Sequence, residues 1–341
     1  MMDRAARGGV EASLFGRPAP AVDARPWASR AEHPDLESYA HHDTPPGYEM
    51  TTTGPATGPY VLHRARFDRA AVQFGLECGP NIGHAAIPDF VVVFHVTTGG
   101  PPPLTNGTPL TRTRMAVIGP GTDQIEAVRG AGRWATFATT PDLARGVEAS
   151  LGLRNPTFEP GRVRVVTMPR AAADALRMTL AETYRRIAES PRDFDDEDVR
   201  TRTHRELSER FVAAAAGRPV APPAGLAAQD HERILLACMR VLGARPLDVV
   251  TIADLCCAAD TSQRTLTRVF HESFDVSPAR YLRLRRLNQV RAHLRRAAPP
   301  PASVTAAATR FGFFELGRFA GEYRRLFGEL PSDTLRKRTA G

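Results

Sequence analysis

The chain has 341 residues, 42% of them hydrophobic and 24% charged, with a formal net charge of +8. That length allows two domains, each burying its own core, and the composition is globular, neither disordered nor collagen-like. No apolar run approaches the roughly 18 residues that span a bilayer, so no membrane partner is expected.

In chain order, residues 1–50 are expected to be a flexible leader. The first 30 are rich in Ala, Gly, Arg and Pro and lack the apolar stretch of a signal peptide, which points to the cytoplasm. Cys78, Cys238, Cys256 and Cys257 make no pair of C-x-x-C sets, so structural zinc is not expected; without secretion neither are disulfides, and the four read as small buried residues.

Residues 51–216 form the first expected domain. Tyr60–Phe67, Ala71–Cys78, Phe90–Val96, Met115–Ile118, Trp134–Ala138 and Val163–Thr167 are short runs rich in Val, Phe and Tyr, separated by Gly and Pro clusters such as Gly99–Pro103. Many short strands between such turns predict a β-barrel. Two helices follow, Ala171–Glu189 with the stripe Leu176, Leu180, Tyr184, Ile187, and Glu197–Ala216 with Val199, Leu207, Phe211, Ala215. Asp193, Asp195 and Asp196 precede the second, where a helix dipole favours acids. This helical hairpin either packs on the barrel or also pairs two protomers; the sequence leaves both open. Residues 217–228 (GRPVAPPAGLAA) read as a linker stiffened by three prolines.

The second expected domain, residues 229–341, holds the whole basic excess: 19 Arg and Lys against 11 Asp and Glu, while residues 1–228 are neutral. A basic domain attached to a neutral one is the footprint of a polyanion binder with a separate sensing or assembly domain. Leu266, Phe270, Phe274, Pro278, Leu282 and Arg283 recur in kind 53 positions later as Phe319, Tyr323, Phe327, Pro331, Leu335 and Arg336. The first three of each set lie four apart, on one helix face, so each copy reads as a helix-turn-helix.

In the first copy Thr251–Ala258 is a short helix facing inward through Ile252, Leu255 and Cys256. Asp260 suits a left-handed turn, and Ser262 caps the next helix, Gln263–Phe274. With Leu266, Phe270 and Phe274 inward, Gln263, Arg264, Thr267 and Arg268 face out and are the base-reading candidates, since Arg matches guanine and Gln matches adenine bidentately in the major groove. Ser262 and Thr265 suit phosphates. A bland role for Arg268 is a surface pair with Glu272, four residues on. A long basic helix, Ala279–Arg296, connects the copies. Arg283 and Arg286 are its phosphate candidates, Leu282, Leu287, Val290 and Leu294 its buried side, and Pro299–Pro301 its stop.

The second copy, Val304–Phe327, is capped by Ser303 and turns at Gly312, with Phe313, Phe319, Tyr323 and Phe327 in its core. Of its outward residues Glu315, Leu316, Gly317, Arg318, Ala320 and Gly321, only Arg318 is a strong base-reading candidate. Gly321 stands where the first copy has Arg268, so the heads are expected to be unequal: the first reads bases, the second anchors on phosphates or reads shape.

This bipartite arrangement resembles the AraC/XylS family of bacterial transcription regulators, and the tail Phe311–Arg336, with ELGRFAGEYRRLFGELPSDTLR, looks like its XylS branch. The resemblance covers Thr251–Arg336, the first two-thirds matching only in layout. It departs from the family at Cys256, where Ala is usual, and at Gly321, where Arg is frequent. It implies an α+β chain: an N-terminal cupin-like β-barrel with a helical hairpin, then an all-α domain with two helix-turn-helix motifs joined by a connecting helix. It further implies double-stranded DNA and RNA polymerase as partners, a possible homodimer, usually activation, and a small organic effector.

An aromatic acid is one candidate effector, for which Arg64, Arg66, His95 and Trp134 can line a pocket, arginine supplying the bidentate clamp. One alternative is a ligand-independent regulator whose barrel only dimerises. Another is an enzyme. A DNA-alkyl-transfer enzyme needs an activated thiolate and metal-binding cysteines, and Cys78 is the only cysteine before the basic domain. A cupin enzyme needs clustered ligands, and His63, His84 and His95 show no H-x-H pattern. Neither catalytic nor metal residues nor a cofactor are expected.

Overall fold

The computed structural model describes residues 27–43, 48–220, 228–296 and 303–339. Its contacts divide the chain into two units. One comprises Met1–Glu49, Gly58–Cys78 and Gly83–Pro222; the other comprises Met50–Thr57, Gly79–Ile82 and Pro223–Gly341. Most of the linker segment, residues 221–227, and the proline stop at 299–301 lie outside the described residues.

Parts of the expected leader form regular structure. β1 (Ala28–His33) is followed by α1 (Leu36–Asp43) and β2 (Glu49–Thr52). β1 has no bulky apolar residue, its buried positions being Ala28, Ala31 and His33, so its composition carries no strand signal. It is held by antiparallel pairing to β3 (Tyr60–Phe67), Ala28 opposite Ala65 through His33 opposite Tyr60. The remaining strands are β4 (Ala70–Glu77), β5 (Asn81–Ala86), β6 (Val92–Gly99), β7 (Leu104–Thr105), β8 (Thr108–Pro109), β9 (Arg114–Ile118), β10 (Asp123–Val128), β11 (Gly132–Thr139), β12 (Val163–Thr167) and β13 (Arg218–Pro219). They form an eight-stranded sheet in the order β1-β3-β4-β11-β6-β9-β12-β13 and a five-stranded sheet in the order β2-β5-β10-β7-β8. Every adjacent pair in the larger sheet is antiparallel.

The two faces of the larger sheet differ because side chains alternate along a strand. One face presents Ala65, Phe67, Val72, Phe74, Phe94, Val96, Ala135 and Phe137 to the first unit's core. α2 (Pro141–Ser150), α3 (Arg170–Glu189) and α4 (Glu197–Ala215) contribute to the same core. Leu176, Leu180 and Ile187 of α3 and Leu207 and Phe211 of α4 pack there, Phe211 stacking on Phe137 at 5.2 Å between ring centroids. Each such aromatic contributes about 1.5–3 kcal/mol by burial. Asp196 caps α4 by accepting from the Asp198 and Val199 amides. The hairpin therefore packs on the sheet.

The opposite face carries a buried polar row: register sets Arg64 beside Gln73, Gln73 beside Thr136, and Thr136 beside His95. His95 Nδ1 lies 3.1 Å from Thr136 Oγ1, and its Nε2 lies 3.2 Å from Glu126 on β10, linking the two sheets.

The helices of the second unit are α5 (Ala228–Ala244), α6 (Ile252–Ala258), α7 (Gln263–Phe274), α8 (Pro278–Arg296), α9 (Val304–Arg310), α10 (Leu316–Phe327) and α11 (Pro331–Thr339). α8 serves both copies. Its Tyr281 packs on Phe270 and Phe274 of the first, while Leu284, Leu287, Val290 and Leu294 join Ala307, Ala308, Phe313, Phe319, Tyr323 and Leu326 in the core of the second. Cys238 is buried, but Cys257 is exposed and Cys256 partly so. The two-turn helix α6 buries only Leu255 fully, which corrects the expectation of four buried cysteines.

Candidate nucleic-acid interface

The first head is built from local signals. Thr251 and Asp254 form a reciprocal capping box at the start of α6, and Arg245 pairs with Asp254 at 2.8 Å. The Thr251 hydroxyl and Arg245 hold the Asp254 carboxyl well below the usual carboxylate range. The turn passes through Asp260 at φ 46°, and Ser262 Oγ accepts from the Thr265 amide at 3.2 Å to start α7.

Leu266, Val269, Phe270, Ser273 and Phe274 are the buried side of α7. Gln263, Arg264 and Arg268 are exposed on the other side and Thr267 is half-exposed, which groups the four base-reading candidates of this head. The Arg268–Glu272 pair does not form: Glu272 lies 3.3 Å from His231 of α5. Among the described residues no ion pair engages Arg264 or Arg268.

The basic connecting helix is used differently from its sequence reading. Arg286 donates to the carbonyls of Leu247 and Val250 at 2.9 and 3.1 Å, bracing the segment before α6. Arg283 donates to Glu322 of α10 and lies over the Phe313 ring, 5.1 Å from its centroid. Arg285 and Arg291 are buried, and Arg291 lies 3.5 Å from Glu329. So the two arginines assigned to phosphates also hold the helices together. Arg280 and Arg296 are exposed.

Three arginines converge on the buried Glu322: Arg283, Arg318 at 3.3 Å and Arg280 at 3.7 Å. Burial pushes the Glu322 carboxyl up, but Arg283, Arg318 and Arg280 together hold it below its ordinary value. Arg318, the base-reading candidate of the second head, is thereby tethered, although its side chain is 62% exposed.

The second head differs in its turn. α9 follows α6 by 52 residues and α10 follows α7 by 53, so the second turn is one residue longer. Glu315 precedes α10 without a side-chain cap. Beside Arg318 the exposed surface includes Phe314, Leu316, Gly317 and Gly321, with Arg324 and Arg325 one turn beyond. Those last two arginines were missed; their spacing from Gly321, three and four residues, puts them along the same helix and was the available signal.

The four effector candidates do not share the cavity of about 800 Å³ in the first unit. Arg64 is 2% exposed; with the Gln73 amide oriented oxygen-first, it donates to Gln73 from Nε and Nη2 at 2.9 and 2.8 Å. His95 is committed to Thr136 and Glu126. Burial pulls its imidazole toward neutrality, but Glu126 and, farther off, Glu77 raise it above its ordinary value. Trp134 donates to Glu77 at 3.0 Å, its indole lying against Gly75 where no Cβ fits. Of the four, only Trp134 borders the first unit's cavity of about 800 Å³, and Arg64, Arg66 and His95 are absent from its lining. The reason is strand parity: Val61 and His63 of β3 face that cavity, so Arg64 and Arg66 do not share it. Among the described residues no three His, Cys, Asp or Glu side chains are grouped to hold a metal, and no helix is long and apolar enough to cross a membrane.

Comparison with known proteins places the second unit. A helix-turn-helix domain family matches residues 255–337. A XylDLEGF operon transcriptional activator of Pseudomonas putida is 47% identical over 77 residues, 23% of this chain and 23% of its own. A probable thc operon regulatory protein of Rhodococcus erythropolis is 40% identical over 87 residues, 26% of each chain. A solved probable AraC family transcriptional regulator from Rhodopseudomonas palustris is 36% identical, covering 32% of this chain and 94% of that one at a TM-score of 0.26. The matched segments span about a quarter of the length of the two curated relatives. This chain therefore carries, in its second unit, a helix-turn-helix domain.

Proposed function

We propose that the chain is a sequence-specific DNA-binding transcription regulator of the XylS-like branch, a cytoplasmic activator that binds promoter DNA and works with RNA polymerase. Its first unit, a cupin-like sheet domain with a helical hairpin, senses a small organic effector and can pair protomers. The observation that carries the reading is the outer face of α7, where Gln263, Arg264 and Arg268 stand exposed, with no ion pair to them among the described residues, on a capped, core-anchored helix. Side chains of this kind on the first turns of a recognition helix make bidentate contacts to base edges.

The transcriptional roles in the relatives' names support regulation over an enzymatic reading. The solvent-accessible cavity in the first unit favours a ligand-responsive regulator over one whose first unit only dimerises.

Selection of bound sites from random DNA gives the operator, on which Arg268→Ala is then measured. Arg268→Ala is expected to lose about 1–3 kcal/mol on the operator and to relax the preference at one base position, with random DNA bound nearly as before. Equal losses on both DNAs would make Arg268 a phosphate contact, and selection of no common sequence would end the sequence-specific reading.

A further inference from the structure

We propose that the cavity between the larger sheet and α3 binds an organic monoanion with an extended apolar body, a long-chain or multi-ring carboxylate rather than a single-ring acid. This deepens the effector reading above and rests on it for its biological meaning; the site itself is argued from the first unit alone.

The cavity encloses about 800 Å³, at the upper end of the 300–1,000 Å³ that holds drug-sized ligands, so one benzene ring leaves most of it unfilled. Its walls are apolar and aromatic: Phe74 of β4, Leu176 and Leu180 of α3, and Tyr184, whose ring meets both His63 and Phe74 edge-on. Thr97 and Thr98 also line it, and its charged groups are all cationic. Arg30, Arg112, Arg133 and Arg177 all border it, and the first three are exposed, which places positive charge at the solvent side. Two acids counter them: Glu32 on Arg30 at 2.6 Å, and Asp174 on Arg177 at 3.3 Å. Among the described residues no ion pair engages Arg112 or Arg133. The balance leaves an excess of positive charge for an anion to neutralise.

Arg177 is held in place, since it also donates to the Arg112 carbonyl, and a guanidinium with five donors keeps others for a carboxylate. Deeper in, His63 is 6% exposed and its Nδ1 has no hydrogen-bond partner. Burial and the nearby Arg30 push this imidazole down to about 4, so near neutral pH it is an uncharged ring compatible with an apolar ligand body. A buried polar atom left without a partner carries a desolvation penalty that a ligand atom can relieve.

His63 is also the residue that the sequence could have flagged. In YVLHRARF it is the one polar member of the series Val61, His63, Ala65, Phe67 that faces the helices.

The test is calorimetric titration of the full-length protein, without DNA, against linear monocarboxylates of increasing length, benzoate, 2-naphthoate, and the alcohols matching the best acids. Affinity is expected to climb with chain length or ring number, benzoate to bind at least tenfold more weakly than the best acid, and the matching alcohol to lose about tenfold. Arg177→Gln should lose about tenfold for acids and nothing for alcohols. Ala181→Phe, at an exposed cavity-lining position, should weaken all of them while leaving the melting temperature unchanged. Absence of binding across the series, equal binding of acid and alcohol, or indifference to both substitutions would overturn the proposal. Because DNA is absent, such a failure leaves the DNA-binding reading standing, and a protein that fails to select an operator can still pass this test.

Discussion

At Glu322 a single carboxylate decides how two helices cross. It is buried on α10 and accepts from Arg283 of α8 and from Arg318 one turn before it. Removing one member of such a cluster leaves buried charge without its counter-ion, whereas the exposed part of the network is screened by water. Glu322→Gln keeps the shape and removes the charge. The expected loss is about 1–3 kcal/mol at neutral pH, read from urea unfolding. A carboxyl held below its ordinary value stabilises the fold above its unfolded pKa and stops doing so as pH falls through the lower, folded one. The deficit of Glu322→Gln should therefore shrink as the pH is lowered past about 4. A deficit that stays constant into acid would mean that the carboxylate's hydrogen-bond geometry, not its charge, is what matters.

Between elements, the 53-residue repeat becomes a comparison of equivalent positions under two chemistries. Asp275 ends α7 at φ 59° and Gly328 ends α10 at φ 74°, both in the left-handed region. Nothing lies within 4 Å of a Cβ built on Gly328, so Gly328→Ala should cost about 1 kcal/mol through backbone strain alone. Asp275→Gly should return up to about 1 kcal/mol by relieving the same strain. Paired thermal melts check both, and a neutral Gly328→Ala would show that the terminus relaxes instead.

Elements set by local chemistry were legible in the sequence. The bounds of α7, its Ser262 cap and its inward Leu266, Phe270 and Phe274 depend on spacing within one helix. β10 was not legible, because Gln124 and Glu126 are buried with Ile125 and Ala127, and a strand covered on both faces with polar inward residues breaks the apolar alternation. The structural duties of Arg283 and Arg286 were also hidden, since their partners lie 39 residues away in sequence and are fixed only by helix crossing. The cavity was hidden for the same reason: its cations come from β1, β11, α3 and the segment before β9, and only the packing of sheet and helix gathers them.

For the chain as a whole, charge and packing act together on how DNA would be held. The net +8 lies entirely from Gln229 onward, which directs a polyanion to the second unit and leaves the first neutral. Within the second unit, α8 contributes Tyr281 to one head and Leu284, Leu287, Val290 and Leu294 to the core of the other, so neither head can turn without disturbing buried packing. Rigidly joined heads should protect two patches on one face of the duplex, about one helical turn or roughly 34 Å apart, and not a variable pair. The patches should be unequal. α7 offers Gln263, Arg264 and Arg268, which no ion pair among the described residues engages, while α10 offers an Arg318 tethered to Glu322, with Gly321 in the place of Arg268. Footprinting of the full chain on its selected operator measures this directly. Base changes under the α7 patch should each cost about 1–3 kcal/mol, and changes under the α10 patch should matter less unless they alter groove shape. One patch in place of two would mean that the second head does not dock, and equal sensitivity under both would mean that Arg318 leaves Glu322 to read a base.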